Sequence, residues 1–311
     1  MYRVDLQDAL DYLEEYDSEF YRVEKDYISG TVAMDSSAQG YRGISTYNSV
    51  MNGYVKDFVE TCVPELFFAD YNHYTFWNHV EDNRLAAFLG IRYILSGDGN
   101  PDESEWKLLD KVGSLYIHEN ALEADTAHFY TTAISEDSLR ELCAEETRDL
   151  LLEGAIALED GEDVDSMEEF DALISGGETE NENTQNGKSA DVGEKAAGTP
   201  EEASYVTLDA PEKDSRITGS IHAENEGYVL FMIPYEDGWE LTIDGEEAEL
   251  LRGDIGFLAC EVPEGDHALE LTFHAPGLME GAAGSAACWA AFAILCAAPG
   301  IRKKRKSMRR I

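Results

Sequence analysis

The chain has 311 residues, of which 43% are hydrophobic and 10% aromatic, a composition typical of folded domains and not of disordered proteins. Lys and Arg number 23 against 64 Asp and Glu, a net charge of −41. Seven of the basic residues lie in 302–310, so the rest of the chain carries 16 basic and 64 acidic residues, a net charge of −48. Because such a surface repels phosphate backbones, nucleic-acid binding by the body of the chain is excluded.

The first 135 residues have the pattern of a mixed α/β domain. Leu6, Ala9, Leu10, Leu13 and Tyr16 recur at helical spacing, which predicts an amphipathic helix. A short strand is predicted at 20–23, a helix at 84–89 and a buried strand at 91–95. A strand or a short hairpin is predicted over 106–119.

The next two segments separate this domain from the C-terminal part. Residues 136–175 contain leucines at helical spacing and are predicted to form a helical connector. Residues 176–203 contain almost no large apolar side chain, so we predict a disordered acidic insertion.

The sequence pattern changes at residues 204–276 and predicts several short strands joined by tight turns. Trp239, Leu241 and Ile243 alternate before Asp244 and Gly245, a dipeptide typical of hairpin turns. The pattern predicts a small antiparallel β-sandwich, and its structural motif consists of Tyr235, Gly238, Trp239, Asp244 and Gly245. The predicted fold class of the whole chain is therefore α+β.

Residues 278–298 are apolar or small except for Glu280, and they are long enough to span a bilayer. Trp289 and Phe292 are the large aromatic side chains of this predicted membrane anchor. The residues from 299 to 311 form a basic tail that includes Arg302, Lys303, Lys304 and Arg305. The positive-inside rule places that tail in the cytoplasm and the bulk of the chain outside the membrane.

The start of the chain has neither a charged n-region nor an apolar h-region, so it does not resemble a signal peptide. A large acidic domain needs an export signal to cross a membrane. We therefore expect upstream transmembrane helices, or a membrane partner subunit. Gly281, Gly284, Ser285 and Cys288 are small residues at helical spacing, which favours close packing of membrane helices.

A search for catalytic motifs finds neither a GxGxxG, a Walker loop, an HExxH nor a GxSxG. The five cysteines form no CxxC pair, which argues against a disulfide framework or a zinc site. We therefore expect neither a metal nor another cofactor, and we assign no catalytic residue.

Aromatic residues are dense between 40 and 93. Aromatic rings at such density are most often part of a hydrophobic core. A subset can instead stack on sugar C–H groups, and Tyr47, Asn48 and Trp77 are the residues that we assign to a possible saccharide contact. Both interpretations stay open at the level of sequence.

An ordered set of short motifs resembles a known family. The N-terminal part contains 20-FYRVE-24, 43-GISTYNS-49 and 89-LGIRYIL-95, and the C-terminal part contains 233-IPYEDGW-239, Asp244-Gly245, 263-PEGDH-267 and 275-APG-277. Together these motifs resemble the C-terminal part of the bacterial YfhO-type membrane proteins.

The resemblance implies a polytopic protein similar to GT-C glycosyltransferases, which use polyprenyl-phosphate sugars to modify cell-envelope polymers. In that architecture the catalytic acid lies in an early loop that this chain lacks. The resemblance therefore implies an extracytoplasmic region that is itself inactive and acts in acceptor binding or in support of the membrane domain. The alternatives are a membrane-tethered carbohydrate-binding or adhesion module and a soluble acidic hydrolase, and the latter is disfavoured by the missing motifs.

Overall fold

The computed structural model describes residues 4–27, 35–47, 51–67, 73–76, 83–98, 101–139, 142–152, 154–164, 170, 172, 204–211 and 215–308. It consists of two compact units. The body comprises Met1–Glu236 and Glu240–Thr272, and the anchor unit comprises Asp237–Trp239 and Phe273–Ile311. The predicted insertion at 176–203 lies outside the described residues.

The helices are α1 (Val4–Tyr16), α2 (Asp35–Gln39), α3 (Gly53–Cys62), α4 (Asn83–Phe88), α5 (Glu136–Leu139), α6 (Ala144–Leu152) and α7 (Leu278–Met308), with a 3-10 turn at Pro64–Leu66. The strands are β1 (Arg22–Lys25), β2 (Thr46–Tyr47), β3 (His73–Tyr74), β4 (Ile91–Ser96), β5 (Trp106–Val112), β6 (Leu115–Asn120), β7 (Ala127–Tyr130), β8 (Ala133–Ser135), β9 (Ile156–Leu158), β10 (Tyr205–Leu208), β11 (Arg216–Ala223), β12 (Gly227–Pro234), β13 (Trp239–Ile243), β14 (Glu246–Ala248), β15 (Leu251–Gly253), β16 (Phe257–Val262) and β17 (Gly265–Phe273). The expected α+β fold class is confirmed.

The N-terminal part of the body is a four-stranded sheet covered by α1. Its strand order is β1-β4-β6-β5, with β1 parallel to β4 and the other pairs antiparallel. Four residues of the predicted stripe of α1, Leu6, Ala9, Leu10 and Leu13, are buried against this sheet in one apolar cluster with Val23, Tyr93, Leu95, Leu115 and Ile117, whereas Tyr16 is 52% exposed. Helical periodicity therefore identified the face that packs.

A six-stranded sheet with the order β7-β12-β16-β15-β9-β8 forms the centre of the body. Strand β12 is antiparallel to both of its neighbours, and its residues Val229–Ile233 are all buried. Helices α3 and α6 join this sheet in one core cluster, which includes Phe58, Val59, Leu150, Leu151, Leu230, Met232 and Ala259.

This sheet combines strands from three segments that the sequence suggests are separate. Strands β7 and β8 lie in the segment 1–135 and β9 lies in 136–175, yet they belong to the same sheet as β12, β15 and β16 from 204–276. They have only three or four residues each. Because so short a strand shows hardly any alternation, its partner cannot be read from the sequence.

A five-stranded antiparallel sheet with the order β10-β11-β17-β13-β14 completes the body. Burial alternates along it: Ile217, Ile221, Leu241, Leu269 and Leu271 are buried. Ile243 pairs with Glu246, so the predicted hairpin turn at Asp244-Gly245 is confirmed. Both turn residues have positive φ, +54° and +81°, the geometry that favours Asp-Gly in two-residue hairpin loops.

The anchor unit contains α7, the one helix among the described residues that is long and apolar enough to cross a membrane. The candidate span, Leu278–Cys296, has a mean hydropathy of 1.4 and is not buried inside the protein. Trp289 is 71% exposed and Phe292 is 60% exposed. The helical backbone continues through Arg302, Lys303, Lys304 and Arg305.

Candidate functional site

A cleft in the body, of about 320 Å³, opens beside the loop at 43–45, which begins the 43-GISTYNS-49 motif. Its lining combines neutral hydrogen-bonding side chains, one guanidinium group and apolar side chains. The lining residues are Arg22, Ser36, Ser37, Gly43, Ile44, Thr46, Met51, Asn52, Val55, Phe58, Val59, Leu66, Leu89, Pro234 and Phe257.

Glu24 holds this loop in place from beneath. The carboxylate is only 2% exposed, and its Oε1 accepts hydrogen bonds from the backbone N–H groups of Ile44 (2.6 Å) and Ser45 (2.7 Å). Its Oε2 accepts from the Ser45 hydroxyl at 2.9 Å. Burial raises the pKa of Glu24, and the hydrogen bonds from the loop offset part of that rise.

The loop approaches Glu24 so closely that a side chain at position 43 would force its neighbours to shift. A Cβ added to Gly43 would lie 3.1 Å from both Glu24 Oε1 and Val23 O, and 2.9 Å from the Tyr41 ring. The Ser45 hydroxyl also accepts a hydrogen bond from Phe76 N at 2.9 Å. The glycine and the serine of this motif therefore have structural roles.

Asn52 forms another wall of the cleft and begins α3. Its Oδ1 accepts from Tyr54 N (2.9 Å) and Val55 N (3.1 Å), a typical N-cap. Its Nδ2 donates to Tyr235 O at 2.9 Å, and the Tyr54 and Tyr235 rings meet edge to face with centroids 5.2 Å apart. Asn52 thus links the cleft to the 233-IPYEDGW-239 motif.

Arg22 lies at the base of the cleft and joins two sheets. This first residue of β1 donates hydrogen bonds to the carbonyl oxygens of Leu89 and Met232, and Met232 belongs to β12. The guanidinium group therefore crosslinks backbone segments that are far apart in sequence.

The charge of the cleft differs from that of the chain. The chain has 64 Asp and Glu, yet none lines the cleft among the described residues. Ser36, Ser37, Thr46 and Asn52 provide hydroxyl and amide groups next to aliphatic surface. This arrangement suits a neutral, hydroxyl-rich ligand, and the described lining residues include no nucleophile paired with a base.

The three residues assigned to saccharide contact are only partly located. Tyr47 lies in β2, directly after the cleft residue Thr46, and pairs with His73. Asn48 and Trp77 lie outside the described residues. Sequence reasoning missed Ser36, Ser37 and Asn52, because hydroxyl and amide side chains are common and carry no spacing signal.

The residues of the predicted structural motif, which includes Gly238 and Trp239, make separate contacts and do not form one cluster. Leu241 is buried, whereas Trp239 and Ile243 on the same strand face are half-buried. Gly238 has φ +108°, and its carbonyl accepts a hydrogen bond from His274 N at 2.7 Å. An added Cβ would lie 2.2 Å from His274 O, so only glycine fits there.

Asp244 closes its hairpin turn through two hydrogen bonds. Its Oδ1 accepts from Ala268 N (2.9 Å), and its Oδ2 lies 2.8 Å from His267 Nδ1. The hydrogen bond from His267 lowers the pKa of Asp244, and Asp244 in turn raises the pKa of His267.

We expect this pair to make stability depend on pH. Because the folded pKa of His267 is raised, its contribution is full below the unfolded value of about 6.5 and is lost as pH rises through the folded pKa. The melting temperature of the wild-type chain should therefore exceed that of His267→Gln by more at pH 6 than at pH 9. In an Asp244→Asn background, which keeps the acceptor for Ala268, the two differences should lie closer together, because only the backbone carbonyls of Pro263 and Glu264 then remain to raise the pKa of His267. A pH-independent difference in the wild-type background would contradict the ion pair.

No three His, Cys, Asp or Glu side chains converge on a possible metal position within the described ranges. Asp102 accepts hydrogen bonds from the backbone N–H (2.9 Å) and the hydroxyl (2.7 Å) of Ser104.

Comparison with known proteins places a family match in the C-terminal part. Residues 204–285 match the family described as "Bacterial membrane protein YfhO", a segment that runs from β10 through β17 into the start of α7. Over 62 residues the chain is 37% identical to "Uncharacterized protein YfhO" of Bacillus subtilis (strain 168). That match covers 20% of this chain and 7% of the relative's length. No solved structure matches the chain.

Proposed function

Because this chain carries a segment of a YfhO-type bacterial membrane protein, we propose that it is the extracytoplasmic C-terminal region of a polytopic, glycosyltransferase-like protein that modifies cell-envelope polymers. The family match supports membrane association, because the matched residues 204–285 run from the strands into the exposed apolar helix α7.

The proposed orientation follows from charge. Seven Lys and Arg lie in 302–310, directly after the span, and the positive-inside rule places such a cluster in the cytoplasm. The helix α7 then runs inward, and the acidic body lies on the outer side.

The proposed partners are further membrane helices, either upstream in the same protein or in another subunit. One face of α7 forms a shallow apolar depression, lined by Gly281, Gly284, Ser285, Cys288, Trp289 and Phe292. Small residues allow helix backbones to approach closely, and the flanking rings offer surface to pack against. A lipid-linked donor needs a groove between helices, which a single helix does not provide.

We propose that the body itself is non-catalytic and that its cleft holds the neutral saccharide part of an acceptor. The observation that carries this role is a cleft whose described lining contains neutral hydrogen-bonding side chains and the Arg22 guanidinium, which donates to two backbone carbonyl oxygens, but no carboxylate, on an otherwise strongly acidic chain. Neutral sugars tolerate the negative surroundings, whereas a phosphate-rich ligand is repelled by them.

The test measures binding and turnover on the full chain in lipid nanodiscs. We expect saturable binding of a neutral envelope oligosaccharide, detected by calorimetry, and weaker binding of a glycerol-phosphate oligomer. Thr46→Val removes a cleft hydroxyl with little change in shape and should weaken oligosaccharide binding severalfold. The matched control is Thr242→Val in β13, which should bind like the wild type.

With a prenyl-phosphate sugar and acceptor present, we expect no transfer by the chain alone. Turnover above background that is abolished by changing one acidic residue of the body would overturn the non-catalytic role. Oligosaccharide binding combined with failure to activate the complete membrane protein would favour the alternative, a membrane-tethered carbohydrate-binding or adhesion module.

A further inference from the structure

Trp239 and Phe273 form a ring pair at the end of the anchor unit from which α7 begins. Their ring centroids lie 5.2 Å apart at an interplanar angle of 49°. Both side chains are half-buried, so part of each ring faces outward. Phe273 is the last residue of β17, and only residues 274–277 separate it from Leu278, the first residue of α7.

Several contacts fix this pair to the start of the helix. His274 N donates to Gly238 O at 2.7 Å. A side chain at position 238 would clash with the His274 carbonyl at this contact. Leu278 N donates to Ala275 O (3.2 Å) and Gly281 N to Gly277 O (2.9 Å), so the connection passes into the helix through continuous hydrogen bonds. Asp237–Trp239 and Phe273–Ile311 accordingly form one compact unit.

The length of the helix sets the depth of the ring pair. The span of 19 residues, Leu278–Cys296, is about 28 Å long at 1.5 Å per residue, close to the thickness of a hydrocarbon core. Leu278 then lies at the edge of that core. A turn of four residues beyond it reaches into the headgroup layer, which is roughly 5–8 Å thick on each side.

We propose that Trp239 and Phe273 dip into the outer headgroup layer of the bilayer, next to the start of α7. This inference rests on the proposed membrane insertion of α7. An indole ring has an apolar body and a polar N–H, the combination that favours this layer. The partner is a zwitterionic lipid surface, because the residues 237–239 and 273–280 contain Asp237 and Glu280 and no Lys or Arg.

The test uses the full chain in phosphatidylcholine nanodiscs whose lipids carry bromine, a fluorescence quencher, at a shallow or a deep acyl position. The chain has four tryptophans, so the difference between the wild type and each Trp→Phe variant gives the fluorescence component of one tryptophan. The component lost in Trp239→Phe should be quenched at least twofold more by shallow than by deep bromine. The doubly substituted chain with Trp239→Phe and Phe273→Trp should regain shallow quenching, because the two rings are neighbours.

Two other tryptophans serve as controls. Trp289 lies about 16 Å along the helix from Leu278, so its component should be quenched more by deep bromine. Trp106 is 1% exposed and should not be quenched. An unquenched Trp239 component together with a quenched Trp289 component would overturn this inference and leave the membrane span intact. If neither component is quenched, the proposed membrane insertion and this inference both fail.

Discussion

Replacing Glu24 with alanine is expected to destabilise the folded chain by roughly 3–5 kcal/mol, because it leaves two backbone N–H groups and a hydroxyl without their buried acceptor. The N–H groups belong to Ile44 and Ser45, and the hydroxyl belongs to Ser45. Urea unfolding of the full chain in detergent, followed by fluorescence, measures the difference. We expect the substitution to disrupt the cleft as well, because Gly43, Ile44 and Thr46 line it.

Glu24→Gln separates the hydrogen bonds from the charge. Its amide oxygen can accept from Ile44 and Ser45, and its NH₂ can donate to the Ser45 hydroxyl oxygen, so we expect most of the stability and the oligosaccharide binding to be retained. Glu261→Ala in β16 is the matched control, because Glu261 is exposed, and surface substitutions usually change stability by less than about 0.5 kcal/mol. Equal unfolding midpoints for Glu24→Ala and Glu261→Ala would rule out Glu24 as the anchor of the loop.

The parts of the fold that could be predicted are those encoded locally. The apolar stripe of α1 repeats over several turns, and the Asp244-Gly245 turn needs only two residues with positive φ. The span in α7 is a run of apolar and small residues with one acidic exception, Glu280. Each of these signals lies within one segment, so no knowledge of a distant partner is needed.

The cleft could not be predicted because it depends on contacts between distant residues. Glu24 lies 21 positions from Ser45, and Asn52 lies 183 positions from Tyr235. The motifs that contain Glu24 and Tyr235 were both part of the family resemblance, but a motif does not say which other motif it touches. The one available hint was an acidic residue that directly follows the β-forming run Phe20–Val23.

Asp254 is a second buried acid, and its environment differs from that of Glu24. It is 0% exposed and has φ +46° in the turn between β15 and β16. Its Oδ1 accepts from Ala157 N at 2.8 Å, and its own N–H donates to Ala157 O at 2.8 Å. Its Oδ2 has no hydrogen-bond partner in the described part of the chain.

Burial raises the pKa of Asp254 to about 7, and the nearby Glu136 carboxylate adds to the rise. Glu136 is itself 3% exposed and is paired with Arg252, with Arg252 Nη1 3.1 Å from Glu136 Oε1. An unfolded aspartate has a pKa of about 3.9. Between about pH 4 and pH 7 the unfolded chain therefore binds fewer protons than the folded chain, and stability falls as pH rises through that window.

Asp254→Asn is expected to stabilise the chain at pH 8 by roughly 2–4 kcal/mol, because the amide cannot ionise and one pKa unit corresponds to about 1.4 kcal/mol. Asparagine retains the acceptor for Ala157 N and tolerates positive φ. The advantage over the wild type should shrink as pH falls toward 4, where both side chains are neutral. Urea unfolding of both chains at pH 5 and pH 8 measures the change.

Asp254→Ala distinguishes the charge from the turn. Alanine removes the acceptor for Ala157 N and is strained at φ +46°, so this variant should be less stable than the wild type at pH 5, where the buried carboxyl is protonated. If Asp254→Asn gains no more stability at pH 8 than at pH 5, the folded carboxyl does not titrate between these values. Its ionised form would then be stabilised in the folded chain, contrary to a raised pKa caused by burial.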